Sequence, residues 1–283
     1  MTQFYSQLVI KLVKARTSVR TFLANELEPS IKQQITEYMV GAEGFAGSSL
    51  RLILVDKAVE KNKGTKLGTY GIIRGAQHFI VAVVDNKDAS AYVSLGYKLE
   101  KVVLFATSIG LGTVWLGGTF SKDQFAMAAS LKDNETLSIV IPVGYATEKR
   151  SIIERLMRST SKADSRKAFA ELFFDGGLSK SLENDGVGYA LSLEAVMLAP
   201  SAMNAQPWRV IKAENGFHFY LLHKNSNFNK SVTDMHKIDM GIGMCHFELV
   251  SREEGLSGSW NFAGKQPQGV PENFEYIASW QCE

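Results

Sequence analysis

The chain repeats itself, and the repeat limits the folds open to it. Leu95-Gly96-Tyr97 opens a long helical pattern that closes at Gly110-Leu111-Gly112-Thr113-Val114-Trp115. Asp239-Met240-Gly241-Ile242-Gly243 opens a second, which closes at Gly255-Leu256-Ser257-Gly258-Ser259-Trp260. Gly96 to Gly241 and Trp115 to Trp260 are both separated by 145 positions. Each copy reads as a helix of one length, stopped by a glycine and followed by a strand that ends in tryptophan. A second correspondence, offset by 158 positions, sets Arg209 over Arg51 of Ser49-Leu50-Arg51-Leu52-Ile53. β-rich runs, Leu137 to Tyr145 and Phe274 to Trp280, close the two halves. Two related halves are therefore expected, residues 1–150 and 151–283.

The first half reads as helix 3–15, then a helix from about 29. Pro29 suits its first turn, and Ile31, Ile35 and Met39 recur at helical spacing. Strand 51–56, a basic loop from Lys61 to Gly68, strand 79–85, helix 90–109 and strand 112–117 follow. Ser121 and Gln124 form a capping-box pattern for helix 121–130, and strand 137–145 ends the half. The second half carries helices near 165–173, 188–198 and 238–254, with strands 208–213, 217–223, 258–262 and 274–281. Alternation of helix and strand with few tight hairpins argues for α/β or α+β layers, a sheet with helices on both sides. The polar stretch Glu148–Arg166 is the natural junction. Ile152, Ile153, Leu156 and Met157 give it one apolar helical face, so it does not read as a free linker.

At 283 residues, 45% hydrophobic and 21% charged, the composition is that of a soluble globular protein. A net charge of +2 gives no reason to expect a nucleic-acid partner. Cys245 and Cys282 are the only cysteines and have no CxxC spacing, which excludes a disulfide scaffold and fits a cytoplasmic location. The five histidines make no i, i+4 pair with an acidic companion, so no metal site is expected. Lys11 and Lys14 interrupt the apolar face of the first segment, which reads as an amphipathic helix and not a signal peptide. No apolar run approaches the roughly 20 residues that span a bilayer, so no membrane partner is expected.

Two stretches carry the chemistry. In Ala199-Pro200-Ser201-Ala202-Met203-Asn204-Ala205-Gln206-Pro207-Trp208-Arg209, small residues let backbone N–H groups approach a flat ligand. Asn204 and Gln206 supply the mixed donors and acceptors that read a heterocycle edge. In Arg16-Thr17-Ser18-Val19-Arg20-Thr21-Phe22, two guanidiniums flank a hydroxyl at alternating positions, so an extended segment presents all three on one side. Arginine forks suit a phosphate or an electron-rich carbonyl. The halves differ in what they keep. The counterpart of the arginine segment, Arg166-Lys167-Ala168-Phe169-Ala170, has alanine in place of Ser18 and of Arg20. At the 158 offset, Ser201, Asn204 and Gln206 fall on Glu43, Ala46 and Ser48, and an anionic Glu43 is a poor neighbour for an electron-rich ring.

The first stretch resembles the APSxxNxQPWR signature of the FMN-dependent nitroreductase family, and the second resembles that family's RRSxRxF entry motif. Trp115-Leu116-Gly117-Gly118-Thr119 looks like the family's strand-end loop, whose backbone N–H groups face flavin N5 and O4. Pro142-Val143-Gly144-Tyr145-Ala146, followed by Lys149-Arg150, looks like its PVGYP strand with trailing phosphate-binding residues. Tyr70-Gly71 and Arg74 lie where the family often places another contact. The chain is similar to the single-chain TM nitroreductase type, in which one polypeptide mimics the family's homodimer and keeps one flavin site.

That resemblance implies an α+β fold, a three-layer α-β-α sandwich internally duplicated, with halves intertwined around one flavin and a monomer in solution. It implies FMN bound by Arg16, Ser18, Arg20, Tyr70, Leu116, Gly117, Gly118, Lys149, Arg150, Pro200, Ser201, Ala202, Asn204 and Gln206. It also implies hydride passage from NAD(P)H through FMN to a nitroaromatic, quinone or similar small-molecule acceptor. No side chain is assigned as acid or base. Arg16 and Arg20 supply positive charge, and the Leu116–Gly118 backbone an N–H. The alternative is an FMN-binding carrier or sensor that does not turn over.

Overall fold

The computed structural model describes residues 7–57, 67–85, 88, 90–147, 156, 159–160, 165–184, 186, 188–223, 230–264, 267 and 269–283. The chain divides into two compact units, Met1–Ala163 and Asp164–Glu283. Most of the basic loop from Lys61, and Ile152, Ile153 and Met157 of the junction, lie outside the described residues.

In the first unit, α1 (Val9–Ala15) and α2 (Pro29–Gly41) precede β1 (Leu50–Asp56), β2 (His78–Asp85), α3 (Ala91–Ser108), β3 (Gly112–Thr113), α4 (Lys122–Ala128) and β4 (Glu135–Gly144). The sheet order is β1-β2-β4-β3, all pairs antiparallel. β2 is apolar on both faces and buried up to Val84, as a central strand must be. Phe79, Val81 and Val83 enter a cluster with Phe120 and Phe125 of the α4 region, and the rings of Phe79 and Phe125 meet edge to face at 5.2 Å. Alternation sends Ile80, Ala82 and Val84 to the opposite face, where α3 packs. Helices on both faces make this unit three layers.

The second unit runs α5 (Phe169–Leu172), β5 (Phe173–Asp175), α6 (Ala190–Leu198), β6 (Trp208–Ala213), β7 (Gly216–Leu222), α7 (Lys230–Glu253), β8 (Gly258–Asn261) and β9 (Phe274–Cys282). Its order is β5-β6-β7-β9-β8, the first unit's order with one strand added at the edge.

The duplication goes below the level of strand order. The β2–β4 register shifts between Ala82 and Val83, and the β7–β9 register shifts between Phe219 and Tyr220. At those shifts Leu52 faces Ala82 and Val210 faces Phe219, and Leu52 and Val210 stand at the 158 offset. The helix ends match at the 145 offset. Leu111 N–H bonds to Ala106 O and Gly110 N–H to Thr107 O; Leu256 N–H bonds to Ser251 O and Gly255 N–H to Arg252 O. Gly110 and Gly255 have φ of 81° and 75°, a left-handed stop that glycine takes without strain. Each following tryptophan donates its indole N–H to a helix glutamate, Trp115 to Glu100 at 3.1 Å and Trp260 to Glu248 at 2.8 Å. The glutamates differ by three positions from the common offset, so the same bond is made about one helical turn along.

Four local expectations need correction. The segment expected as helix 165–173 is helical only over α5, because Phe173–Asp175 pairs in parallel with Val210–Lys212 and buries Phe173. Strand 112–117 is reduced to β3 plus a single bridge between Leu116 and Val140. Gln124 does not close a capping box: its Oε1 accepts Gly68 N–H at 2.7 Å, while Ser121 N–H donates to Gly68 O. Those side-chain and backbone bonds pin the 67–69 loop instead. The last helix begins at Lys230, not near 238.

The two cores differ at a matched helix position. Phe247 of α7 meets Tyr189, Phe217, Phe219 and Trp280 with ring centroids 5.2 to 5.7 Å apart. Its counterpart at the 145 offset is the aliphatic Val102, also buried. Phe247→Ala leaves a cavity at the centre of the aromatic cluster and lowers stability by about 3–5 kcal/mol. Urea unfolding checks this, with Phe247→Leu expected to lose clearly less.

Candidate functional site

The loop between α6 and β6 has the most constrained backbone described. Ser201 is extended, and a single 3₁₀ turn covers Ala202–Asn204. Met203, Asn204 and Gln206 have φ of 51°, 54° and 47°. Only two other non-glycine residues among those described, Tyr70 and Ser130, have positive φ. Each such residue costs roughly 1–2 kcal/mol. Three within four positions require dense local support, and strain of this kind concentrates where a ligand is shaped.

Bonds from three elements supply that support. Within the loop, Gln206 N–H donates to Ser201 Oγ at 2.9 Å, Asn204 N–H to Ser201 O and Ala205 N–H to Ala202 O. From α7, Asp239 Oδ1 accepts Ala202 N–H at 2.9 Å. The segment before α5 braces the other end. Lys167 N–H donates to Gln206 Oε1, and Lys167 Nζ to Ala205 O and Gln206 O. Asn204 Nδ2 donates to Ser165 O at 3.0 Å, and Arg166 Nη2 reaches Leu198 O. Arg209, buried, donates to Gln206 O and Trp208 O. Burial depresses the Arg209 pKa, with Glu171 pulling it back. On the outside of this framework Met203 is 78% exposed, and Ser201, Ala202 and Asn204 are partly exposed.

Gln206 is buried, and its amide holds the loop from inside through Lys167 and Asn204. Lys167 and Asp239 are the residues that sequence reasoning missed. Lys167 was visible only as part of a degraded copy of the arginine motif. That copy has become the strut of the loop its own half retains. Asp239 was visible only as the residue that opens the helical repeat.

In the first unit, the Arg16–Phe22 segment leaves α1 and runs extended along the strand ends. Ser18 pairs with Thr113, Thr21 with Arg74 and Phe22 with Ala146. Val19 N–H donates to Thr113 O, Arg74 N–H to Arg20 O, Leu23 N–H to Tyr145 O and Thr147 N–H to Thr21 O. Three of the sequence-predicted stretches are thereby gathered in one place: the Arg-Ser-Arg segment, the Tyr70–Arg74 turn and the exit of β4. Arg16 is buried, Ser18 and Arg20 are partly so, and Tyr70 is exposed with φ of 49°. Lys149 and Arg150, beyond the β4 exit, lie outside the described residues.

Leu116 needs a correction. Its N–H donates to Val140 O at 3.0 Å, so it is not available to a ligand. Gly117 and Gly118 form the exposed backbone of that loop, and a Cβ added at Gly118 meets no atom within 4 Å.

The donor set fits a flavin mononucleotide. Two guanidiniums and a hydroxyl on one extended segment match an anionic phosphate or a ring carbonyl, and Gly117-Gly118 leaves room for a flat group. The equivalent loop of the first unit does not match it: Glu43 and Ala46 are exposed where Ser201 and Asn204 stand in the second.

Residues 8–251 match the family described as "Putative TM nitroreductase". The chain belongs to this family. Its structure is similar to a "putative nitroreductase" from Thermotoga maritima MSB8, with a TM-score of 0.60 and 18% identity over 97% of this chain and 94% of that one. It is also similar to an "FMN-dependent nitroreductase" from Clostridium difficile R20291, with a TM-score of 0.42 and 19% identity over 50% of this chain and 90% of the other. A third similar structure is a "putative NADH dehydrogenase/NAD(P)H nitroreductase" from Bacteroides thetaiotaomicron VPI-5482, with a TM-score of 0.42 and 21% identity over 50% and 89%. No curated protein sequence matches the chain. The Thermotoga likeness establishes a shared fold over nearly all of both chains, and membership of the family makes this a nitroreductase-like oxidoreductase. No helix among the described residues is long and apolar enough to cross a membrane.

Lys167→Met keeps the aliphatic stem and removes the Nζ bonds to Ala205 and Gln206. It is expected to destabilise the protein by about 1–3 kcal/mol and to speed amide exchange across residues 202–206. Hydrogen exchange read by mass spectrometry checks this; unchanged protection of those amides would refute the strut.

Proposed function

We propose that this protein is an FMN-dependent oxidoreductase that passes a hydride from NAD(P)H to a nitroaromatic, quinone or similar electrophilic acceptor. The observation that carries this reading is the loop at Ser201–Gln206, whose strained backbone is braced from three elements while its outer edge stays accessible. FMN would supply the hydride chemistry itself. The residues assigned to hold it are Arg16, Ser18, Arg20, Tyr70, Gly117, Gly118, Lys149 and Arg150 of the first unit. Pro200, Ser201, Ala202, Asn204 and Gln206 are the residues assigned in the second unit, with Gln206 acting through the loop it supports.

Arg16 and Arg20 provide fixed positive charge toward an anionic group, and charge preorganised in a partly buried segment acts more strongly than charge in water. The Gly117–Gly118 backbone offers N–H groups without side-chain obstruction. No side chain is assigned as general acid or base. The protein is proposed to act as a monomer, because the duplication supplies both halves of the family's paired arrangement within one chain.

The direct test is the absorbance spectrum of the desalted protein, with released flavin counted per chain. One FMN per chain is expected. None after FMN is added would overturn the reading, and two would mean that the first unit's altered loop also binds. Asn204→Ala is expected to lower FMN occupancy sharply, while Ala46→Asn leaves it unchanged. Bound FMN without NAD(P)H-dependent acceptor reduction would favour a carrier or sensor. Light scattering should give the mass of one chain; a stable dimer would contradict the monomer assignment.

A further inference from the structure

We infer that Asp239 is the positioning residue for the Ala202 end of the strained loop, and that it performs this role as a neutral, proton-bearing carboxyl. The inference rests on reading that loop as part of the FMN site. Asp239 stands on α7 and is buried, only 3% exposed. One oxygen, Oδ1, accepts Ala202 N–H at 2.9 Å, and the other, Oδ2, is buried with no hydrogen bond to a described residue. An ionised carboxylate held that way leaves a charged oxygen without water or donor, which is far more costly than enclosing a neutral acid.

Among the described residues no cation is seen to pair with Asp239. The cationic groups on the neighbouring elements are engaged elsewhere: Arg166 with Leu198 O, Lys167 with Ala205 O and Gln206 O, and Arg209 with Gln206 O and Trp208 O. On α7 itself Lys237 pairs with Glu275, and His236 is the other ionisable neighbour in sequence. α6 carries Glu194, β6 also carries Lys212, and β7 carries His218, whose Nδ1 lies 2.6 Å from Ser279 Oγ. Burial accordingly pushes the Asp239 pKa up to about 8, against the smaller downward pull of the Ala202 N–H.

The other copy of the repeat ties its helix to its loop one residue further along, without an acid. At the 145 offset Asp239 corresponds to Ser94, whose Oγ accepts Phe45 N–H at 2.8 Å. A neutral oxygen is therefore sufficient to tie the helix to its loop. The retained loop is held by a group that can ionise. Ionisation of Asp239 is relieved if water reaches Oδ2, and lifting of the loop from α7, with loss of the Ala202 bond, is the proposed route. Protonation and loop geometry are thus linked.

The linkage has a definite sign. The folded-state pKa, about 8, lies above the ordinary aspartate value of 3.8, so the folded chain holds a proton that the unfolded chain releases. Stability declines as pH rises between those two values and is level above the upper one. FMN affinity is constant below about pH 8 and falls above it, by about tenfold per pH unit at the limit where only the protonated form binds.

The experiment measures FMN dissociation constants from pH 6 to 10 for the full chain, Asp239→Asn and Asp239→Ser, with the ratio to Asp239→Asn cancelling the ligand's own titration. The wild-type ratio should climb above pH 8, and the serine variant should track the asparagine variant. Parallel wild-type and asparagine curves up to pH 10 would overturn the inference. Thermal unfolding without FMN separates this from the flavin assignment. Asp239→Asn should gain stability relative to wild type as pH rises from 4 to 8, and no such gain would refute the buried proton whether or not FMN binds. If no variant binds FMN while that gain is seen, the flavin reading fails and the buried proton stands.

Discussion

Strands β2 and β7 lie inside their sheets, dry on most of their length, so their peptide groups have only the flanking strands as partners. The ladders β1–β2–β4 and β6–β7–β9 meet this requirement, each with a register shift at the same place. The candidate functional segments attach to the ends of these ladders. The exit of β4 receives the Arg16–Phe22 segment through the Thr21, Phe22 and Leu23 pairings. The start of β6 at Trp208 fixes one end of the Ser201–Gln206 loop, and α6 fixes the other. A fault in the central ladder would displace a motif many residues away in sequence.

Duplication gives each copy freedom to change alone. In the first unit the arginine segment is intact and its loop carries Glu43 and Ala46. In the second, the loop is intact and the arginine segment has become Arg166-Lys167-Ala168-Phe169-Ala170. The change in the second unit is a reassignment of use: Lys167, on a segment that no longer resembles a phosphate binder, supports three bonds to the loop. Arg51 and Arg209 show the same pattern at the 158 offset. Arg51 forms a two-pronged pair with Glu135 across the sheet, whereas Arg209 is buried against backbone carbonyls.

Much of this was legible because the signals were local or repeated. The 145 offset foresaw the matched glycine stops, since Gly110 and Gly255 answer to short-range backbone geometry. The 158 offset between Arg51 and Arg209 agrees with the strand registers. What escaped the sequence depends on distant partners. The helical pattern expected over 165–173 runs into Phe173–Asp175, which lies beside the edge of β6 and takes a strand's hydrogen bonds. Gln124 stands at a capping-box position, yet Gly68 competes for its side chain. Asp239 resembled an ordinary residue at a helix's polar opening, and only the fold placed it in an enclosed position beneath a loop 37 residues earlier. Leu116 was expected to offer an N–H that Val140 had already claimed.

The uneven core chemistry also determines what light can report. Of the four tryptophans, Trp208, Trp260 and Trp280 belong to the second unit and Trp115 alone to the first. Trp208 and Trp280 are fully buried, and Trp280 lies in the ring cluster around Phe247. Intrinsic fluorescence and aromatic circular dichroism of the whole chain are consequently weighted toward the half that carries the loop. Amide signals sample both halves alike. The two optical methods can therefore part company whenever one half loosens before the other, and the chain carries its own label for which half that is.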